Sequence, residues 1–166
     1  MTDQDDAATI ERLYTALDAG DGDTMASLYA PDAHFRDPAF GDLTGEEAGD
    51  MWRLLTRPPA DVSVELRSHS AAEEHGKAHW IASYTFSRTG RDVVNDVEAA
   101  FRFKDGKIIE HIDEFSFFAW SRQALGAPGL LLGWTPFLPH AFRKKTRALL
   151  DEFRAERAGG GDAPAA

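Results

Sequence analysis

No cysteine occurs anywhere in the chain, so neither a disulfide framework nor thiol chemistry is open to it, and a reducing cytoplasm is the compartment that fits. No apolar run approaches the roughly 18 residues that a membrane span requires. The N-terminal MTDQDDAAT is acidic where a signal peptide would be apolar. Positive charge is scarce as well: 18 Lys and Arg stand against 28 Asp and Glu, a net charge of −10. That balance argues against nucleic acid and against an anionic membrane surface as partners. The six histidines (His34, His69, His75, His79, His111 and His140) are scattered, with no spacing that suggests a metal site, and no cofactor is expected.

What is plentiful is apolar and aromatic material. Hydrophobic residues make up 43% of the 166, with 11 Phe and 4 Trp. That is enough to bury a sizeable core in one domain. The first part of the chain has helical period: Ile10, Leu13, Tyr14 and Leu17 recur at i, i+3, i+4 and i+7 between about Asp6 and Ala19. A short second helix is expected from Asp23 to Tyr29, with Met25, Leu28 and Tyr29 on one side. AHFRDP then reads as a short strand in which Phe35 and Asp37 share a face. The loop PAFGDLTG leads to a third helix, with Thr44 as N-cap and Met51, Trp52, Leu54 and Leu55 on its apolar side.

After Pro58-Pro59 the period changes to alternation. VSVELRSHS places Val62, Val64 and Leu66 together, and KAHWIASYTFS does the same for Trp80, Ala82, Tyr84 and Phe86. A turn at Thr89-Gly90-Arg91 leads into a strand with Asn95, Val97, Ala99, Phe101 and Phe103 on one face. A second turn at Asp105-Gly106 opens a long last strand running to Trp120. It should carry Ile109, His111, Asp113 and Phe115 on one face, and Ile108, Glu110, Ile112 and Glu114 on the other. Helices first and strands after describe an α+β domain, a curved antiparallel sheet with the N-terminal helices in its concave face. The expected division is a cone over residues 1–120, a lid segment and helix over 121–158, and a disordered tail over 159–166. LLLGWTPF is too apolar for a free loop, so it should pack on its own cone as a lid or on a second copy. Arg143, Lys144, Lys145 and Arg147 read as the solvated face of the last helix.

The polar side chains on the apolar faces are the candidates for chemistry. His111 and Asp113 lie two residues apart, roughly 6–7 Å along one strand. Unsatisfied, such a pair would cost free energy inside a core. A buried structural hydrogen bond would account for it, and so would a catalytic pair. Asp37 before Pro38 could cap a turn or point into the same space. Two carboxylates facing one apolar cavity would raise one pKa and prepare an acid and a base, with His111 between them. Trp52, Tyr84, Phe86, Phe101 and Phe115, with Asn95 at the rim, are either core or the lining of a pocket for a hydrophobic small molecule. His79, Ile81, Ser83 and Thr85, with Ile108 and Ile112, form an outer face suited to a homodimer.

ALDAGD (16–21), LYAPDAHFRDP (28–38), the G-x-x-A of Gly45 to Ala48 and FRFKDGKIIEH (101–111), in this order of elements, resemble the nuclear transport factor 2-like superfamily. That group includes ketosteroid isomerase, SnoaL-type polyketide cyclases, scytalone dehydratase and limonene epoxide hydrolase. The block around LLGWTPF is similar to that of a bacterial subgroup to which no activity is attached. The resemblance implies a cone fold over about residues 6–120 and a general base at Asp37. It also implies that Asp113 stands where the cyclases keep an acid-base aspartate. The isomerase's oxyanion tyrosine would fall at Leu13 and its proton-donating aspartic acid at Ala99, with Tyr14 one residue out of place, so efficient steroid isomerisation is not expected. In the epoxide hydrolase Asp113 would match one catalytic aspartate, but the other two positions would fall near Trp80 and Ala82. The expectation is a cofactor-independent isomerase, cyclase or dehydratase. The other possibility is a silent binding or assembly domain on the same scaffold.

Overall fold

Thr2 opens the first helix by accepting from the Asp5 amide while the Asp5 carboxylate accepts from the Thr2 amide, a reciprocal cap. A computed structural model describes residues 2–160 of the chain. α1 (Asp3–Asp18) is followed by α2 (Gly22–Ser27), β1 (Tyr29–Asp37), β2 (Gly41–Thr44) and α3 (Gly45–Leu55). Then come β3 (Ser63–Ala72), β4 (His75–Phe86), β5 (Arg91–Lys104) and β6 (Lys107–Glu114). Three helices close the chain: α4 (Phe117–Leu125), α5 (Ala127–Leu132) and α6 (Phe137–Gly160). This is the expected α+β architecture, with six strands in one curved sheet of order β2-β1-β6-β5-β4-β3.

The meander β3 to β6 is antiparallel throughout. Alternation alone predicts its faces well on β5, where Val93, Val97, Ala99, Phe101 and Phe103 are all buried. At the turn between β5 and β6 both Asp105 and Gly106 have positive φ, which an Asp-Gly pair tolerates. Ile10, Leu13, Tyr14 and Leu17 of α1, and Met51 and Trp52 of α3, fill the concave face against Phe35, Phe101, Phe103 and Ile108.

Several expectations are corrected. The stretch after Pro38 is not all loop: β2 turns back on β1, pairing Phe35 with Leu43 and Asp37 with Gly41. The sheet is not purely antiparallel either, because β1 runs parallel to β6. Tyr29 begins β1 rather than ending α2, since Pro31 has no amide with which to extend a helix. A bulge between Arg102 and Phe103 shifts the register of β6, so that Ile108 enters the core and Ile109 is half-buried. Ile108 is therefore unavailable to an outer face. The last strand stops at Glu114, and Ser116 caps α4 by accepting from the Ala119 amide. Trp120 packs with Phe86, Phe117 and Phe142 in a second, smaller cluster.

At the C-terminus, α6 continues through residues 159 and 160, where a disordered tail was expected to begin, and the rest of that tail lies outside the described residues. α6 lies on α3, with Leu150 in the main core and Thr146 donating to the Ala39 carbonyl. Arg147 pairs with Glu47 and Arg154 with Asp50, at 3.0 and 3.1 Å. Arg143 donates to the Pro38 carbonyl at 3.0 Å. Arg143 and Arg147 thus reach back to the body, Arg147 half-buried, while Arg143, Lys144 and Lys145 are exposed as expected of a solvated face. Leu130, Leu131, Leu132, Trp134 and Phe137 are exposed too.

Gly45, the first residue of α3, passes so close to β1 that a Cβ there would sit 1.8 Å from the Ala30 carbonyl oxygen. The obstacle is backbone, so the helix itself would have to move. Gly45→Ala should lower stability by about 1–3 kcal/mol, read as a lower urea midpoint with little change in slope.

Candidate active site

The parallel β1–β6 pair aligns Phe35 with His111 and Arg36 with Ile112. Asp37 and Asp113 are the residues that follow this last pair on the two strands. Neighbouring strands lie about 4.8 Å apart, and both side chains leave the sheet on its concave side. Asp37 and Asp113 line one open cleft of about 690 Å³, together with Arg36, Pro38, Phe115 and Arg143. Gly41, Asp42, Glu98 and Glu114 complete its lining, so acidic groups outnumber basic ones around it.

Asp37 is held in a turn of its own making. One carboxylate oxygen accepts from the amides of Ala39 and Phe40, at 2.9 and 2.5 Å. Burial nonetheless pushes its pKa up to about 7; the Phe40 and Ala39 amides oppose that rise and the charge on Asp113 adds to it. Asp37 therefore both caps the turn and faces the cleft.

His111 lies behind Asp113 and is wholly buried. Its Nε2 is 3.0 Å from Asp113 Oδ1, and its Nδ1 is 2.7 Å from the Tyr29 hydroxyl. The Trp52 indole N–H donates to that same hydroxyl at 3.0 Å. One assignment of protons satisfies every member of this line. Trp52 donates to Tyr29, Tyr29 donates to Nδ1 of a neutral imidazole, and Nε2–H donates to Asp113. The rings of Phe101 and Phe35 clamp the imidazole from two sides, at centroid distances of 4.2 and 5.1 Å. His111 touches no cleft surface, so in this geometry it positions Asp113 and fixes its hydrogen bonding.

The other candidates are dispersed. Phe115 lines the cleft. Trp52 and Phe101 form the wall behind His111. Tyr84 accepts from the Trp120 indole at 2.7 Å; burial, and secondarily the charge of Asp37, raise its pKa. Phe86 belongs to the second aromatic cluster, and Asn95 is half-buried opposite Ala82 on β4. Two tyrosines were not singled out from sequence. The helical period places Tyr29 at the end of α2, although a Pro two residues on argues against that, and it begins β1 instead. Tyr14 is buried against Trp80, with its hydroxyl unpaired and its pKa pushed well up by burial and then by the Asp113 charge.

Two outcomes follow from these contacts. Tyr29→Phe removes the hydroxyl that serves both Trp52 and His111, leaving two buried nitrogens without a partner. It should cost about 1–3 kcal/mol per orphaned group, measured by chemical denaturation. Asp37 gives a signature in pH. Its folded pKa of about 7 lies above the ~3.9 of an unfolded aspartate, so the fold favours the protonated form. Its contribution is complete below about pH 4 and is lost as pH rises through about 7. Asn keeps the carbonyl oxygen that the two turn amides need. Asp37→Asn should therefore melt several degrees above wild type at pH 8 and show no such gain at pH 4, read from melting curves across that range.

Residues 10–111 match the model of the SnoaL-like domain. Solved structures with the same fold include a protein from Catenulispora acidiphila described as having a ketosteroid isomerase-like fold, in complex with trimethylamine. It is 20% identical with a TM-score of 0.64, covering 77% of this chain and 97% of that one. Another is an epoxide hydrolase from M. tuberculosis, 16% identical with a TM-score of 0.64, covering 80% of this chain and 98% of that one. A third is TerC, co-crystallized with polyporic acid, 18% identical with a TM-score of 0.62, covering 74% and 99%. At these identities the likeness is one of fold. A search of curated proteins gives no match. The matched segment spans more than half of the residues; it takes in Asp37 and ends just short of Asp113, and the chain belongs to the SnoaL-like domain family.

Proposed function

We propose that this protein is an enzyme that moves protons on a small organic molecule held in the Asp37–Asp113 cleft, by isomerase, cyclase or dehydratase chemistry without a cofactor. The observation that carries this is the shared cleft: Asp37 and Asp113 both line it, and burial, with the Asp113 charge adding to it, pushes the Asp37 pKa up to about 7. A group poised at the working pH is the most efficient proton donor and acceptor there. In its ionised form Asp37 takes a proton from a carbon or hydroxyl of the substrate, and in its protonated form it returns one. Asp113, oriented from behind by His111, is the second carboxylate and holds charge against the reacting centre. Phe115 and Pro38 offer the apolar contact, and Arg36 and Arg143 could receive an anionic or carbonyl group. A compact substrate with a hydrophobic body and a polar edge fits this lining. Small-molecule complexes of fold neighbours, with trimethylamine and with polyporic acid, support a small organic ligand.

The second reading, a silent binding pocket, draws on one observation: the amides of Ala39 and Phe40 already engage one Asp37 oxygen. A homodimer through the outer face of the sheet also remains a proposal. It is supported by half-buried Ile81 and Ile112 and exposed Val94.

The two functional readings separate on carbon-acid exchange. A panel of cyclic ketones and β-diketones incubated with the protein in D₂O should show deuterium incorporation by NMR, rising with pH through about 7 as Asp37 ionises. Asp37→Asn should lower it by about 10²-fold or more, and Asp113→Asn should lower it as well with the panel compounds still bound. Equal exchange in all three proteins would leave the pocket a binding site.

A further inference from the structure

From Phe115 to Leu150 the chain contains no Asp or Glu, although 28 occur in the whole sequence, and it carries Arg122, Arg143, Lys144, Lys145 and Arg147. The net charge of −10 is therefore a sum over two unlike regions. Among the described residues the same stretch holds the most exposed large apolar side chains. Leu131, Trp134 and Phe137 are 67%, 75% and 81% exposed. They stand on a convex projection: at such exposure no walls of a groove surround them. Phe137 and Lys144 lie seven residues apart on α6, hence on one stripe of the helix, away from the face that buries Thr146 and Leu150. Among the described residues Lys144 and Lys145 have no acidic partner, whereas Arg147, Arg154 and Arg157 are bound to Glu47 and Asp50 on α3.

We propose that this projection docks on an anionic phospholipid surface, with Leu131, Trp134 and Phe137 entering the boundary between headgroups and acyl chains, and Lys144 and Lys145 meeting the phosphates. Charge chooses this occupant over a second copy. A two-fold contact through the same patch would bring together two stretches that hold no Asp or Glu, so the patch itself would offer no carboxylate to Lys144 and Lys145. An anionic bilayer instead supplies opposite charge across a plane and an apolar layer beneath it. Large apolar tips flanked by lysines, with an indole among them, match that layering. No helix among the described residues is long and apolar enough to cross a membrane, so the contact is peripheral.

The test uses the full chain and sucrose-loaded vesicles of phosphatidylcholine, with and without phosphatidylglycerol. Wild type should sediment with the mixed vesicles and not with phosphatidylcholine alone. Trp134 is the exposed one of the four tryptophans, Trp52, Trp80 and Trp120 being buried, so its emission should shift to the blue on binding. Leu131→Ser/Trp134→Ser/Phe137→Ser should abolish sedimentation. Lys144→Glu/Lys145→Glu, on a solvent stripe that leaves the core untouched, should weaken it by about tenfold or more. Absence of both sedimentation and the blue shift with phosphatidylglycerol vesicles would overturn the proposal. So would a wild-type dimer that the triple variant turns into a monomer, with no vesicle binding by either, because the patch would then join two copies.

Discussion

The line of hydrogen bonds Trp52–Tyr29–His111–Asp113 is the constraint on which the interior of this cone depends. An imidazole with no exposed surface and a carboxylate with almost none are tolerable in an aromatic core only if each lone pair and proton has a partner. The partners come from three separate elements: an indole from α3, a phenol from the start of β1, and two groups from β6. Satisfying them fixes the distance between α3 and the sheet and the level at which β1 enters it. Phe35 and Phe101 then have a rigid plane against which to close.

That same line determines what reaches the cleft. With β1 held parallel to β6, Phe35 falls opposite His111, and the next inward-facing positions fall to two aspartates. His111 is shielded by the very packing that holds it, so Asp113 alone presents the outcome of the line to the cleft. Placing a polar relay behind a carboxylate costs little once the core is built around it, and it removes rotational freedom from the group that must be oriented.

Much of this was legible in the sequence, and the rest was hidden for definable reasons. Alternation marked the inward faces of β4 and β5 because neither strand is interrupted where the core is densest. It put Ile108 on the wrong side because one bulged residue reverses parity, and a bulge leaves no local trace in a run such as KIIEHIDE. The helical α4 was invisible in EFSFFAW, where too few turns precede the Gly for a period to emerge. Tyr29 was missed through a boundary error of two residues, one that Pro31 could have corrected. The parallel pairing of β1 with β6 joins segments more than 70 residues apart. Asp37 and Asp113 could be assigned to one space by resemblance, whereas their adjacency is a matter of register that no local pattern contains.

Asp37 shows how closely the tuning of such a site is tied to an ordinary turn. Burial alone would carry the carboxyl far from its usual range, and the Asp113 charge pushes in the same direction; the Phe40 and Ala39 amides pull it back. The result near 7 is the balance of these opposed effects, and each has a separate structural source. The amides are aimed by Pro38 and by the return of the chain into β2. The Asp113 charge is placed by register, and the burial comes from the concave face itself. β2 is only four residues long and sits at the edge of the sheet, yet it closes the turn that aims those amides. A change in that hairpin would alter the protonation of Asp37 without touching any residue inside the cone. On a scaffold with so many uses, reactivity can therefore be adjusted at its rim while the core is left alone.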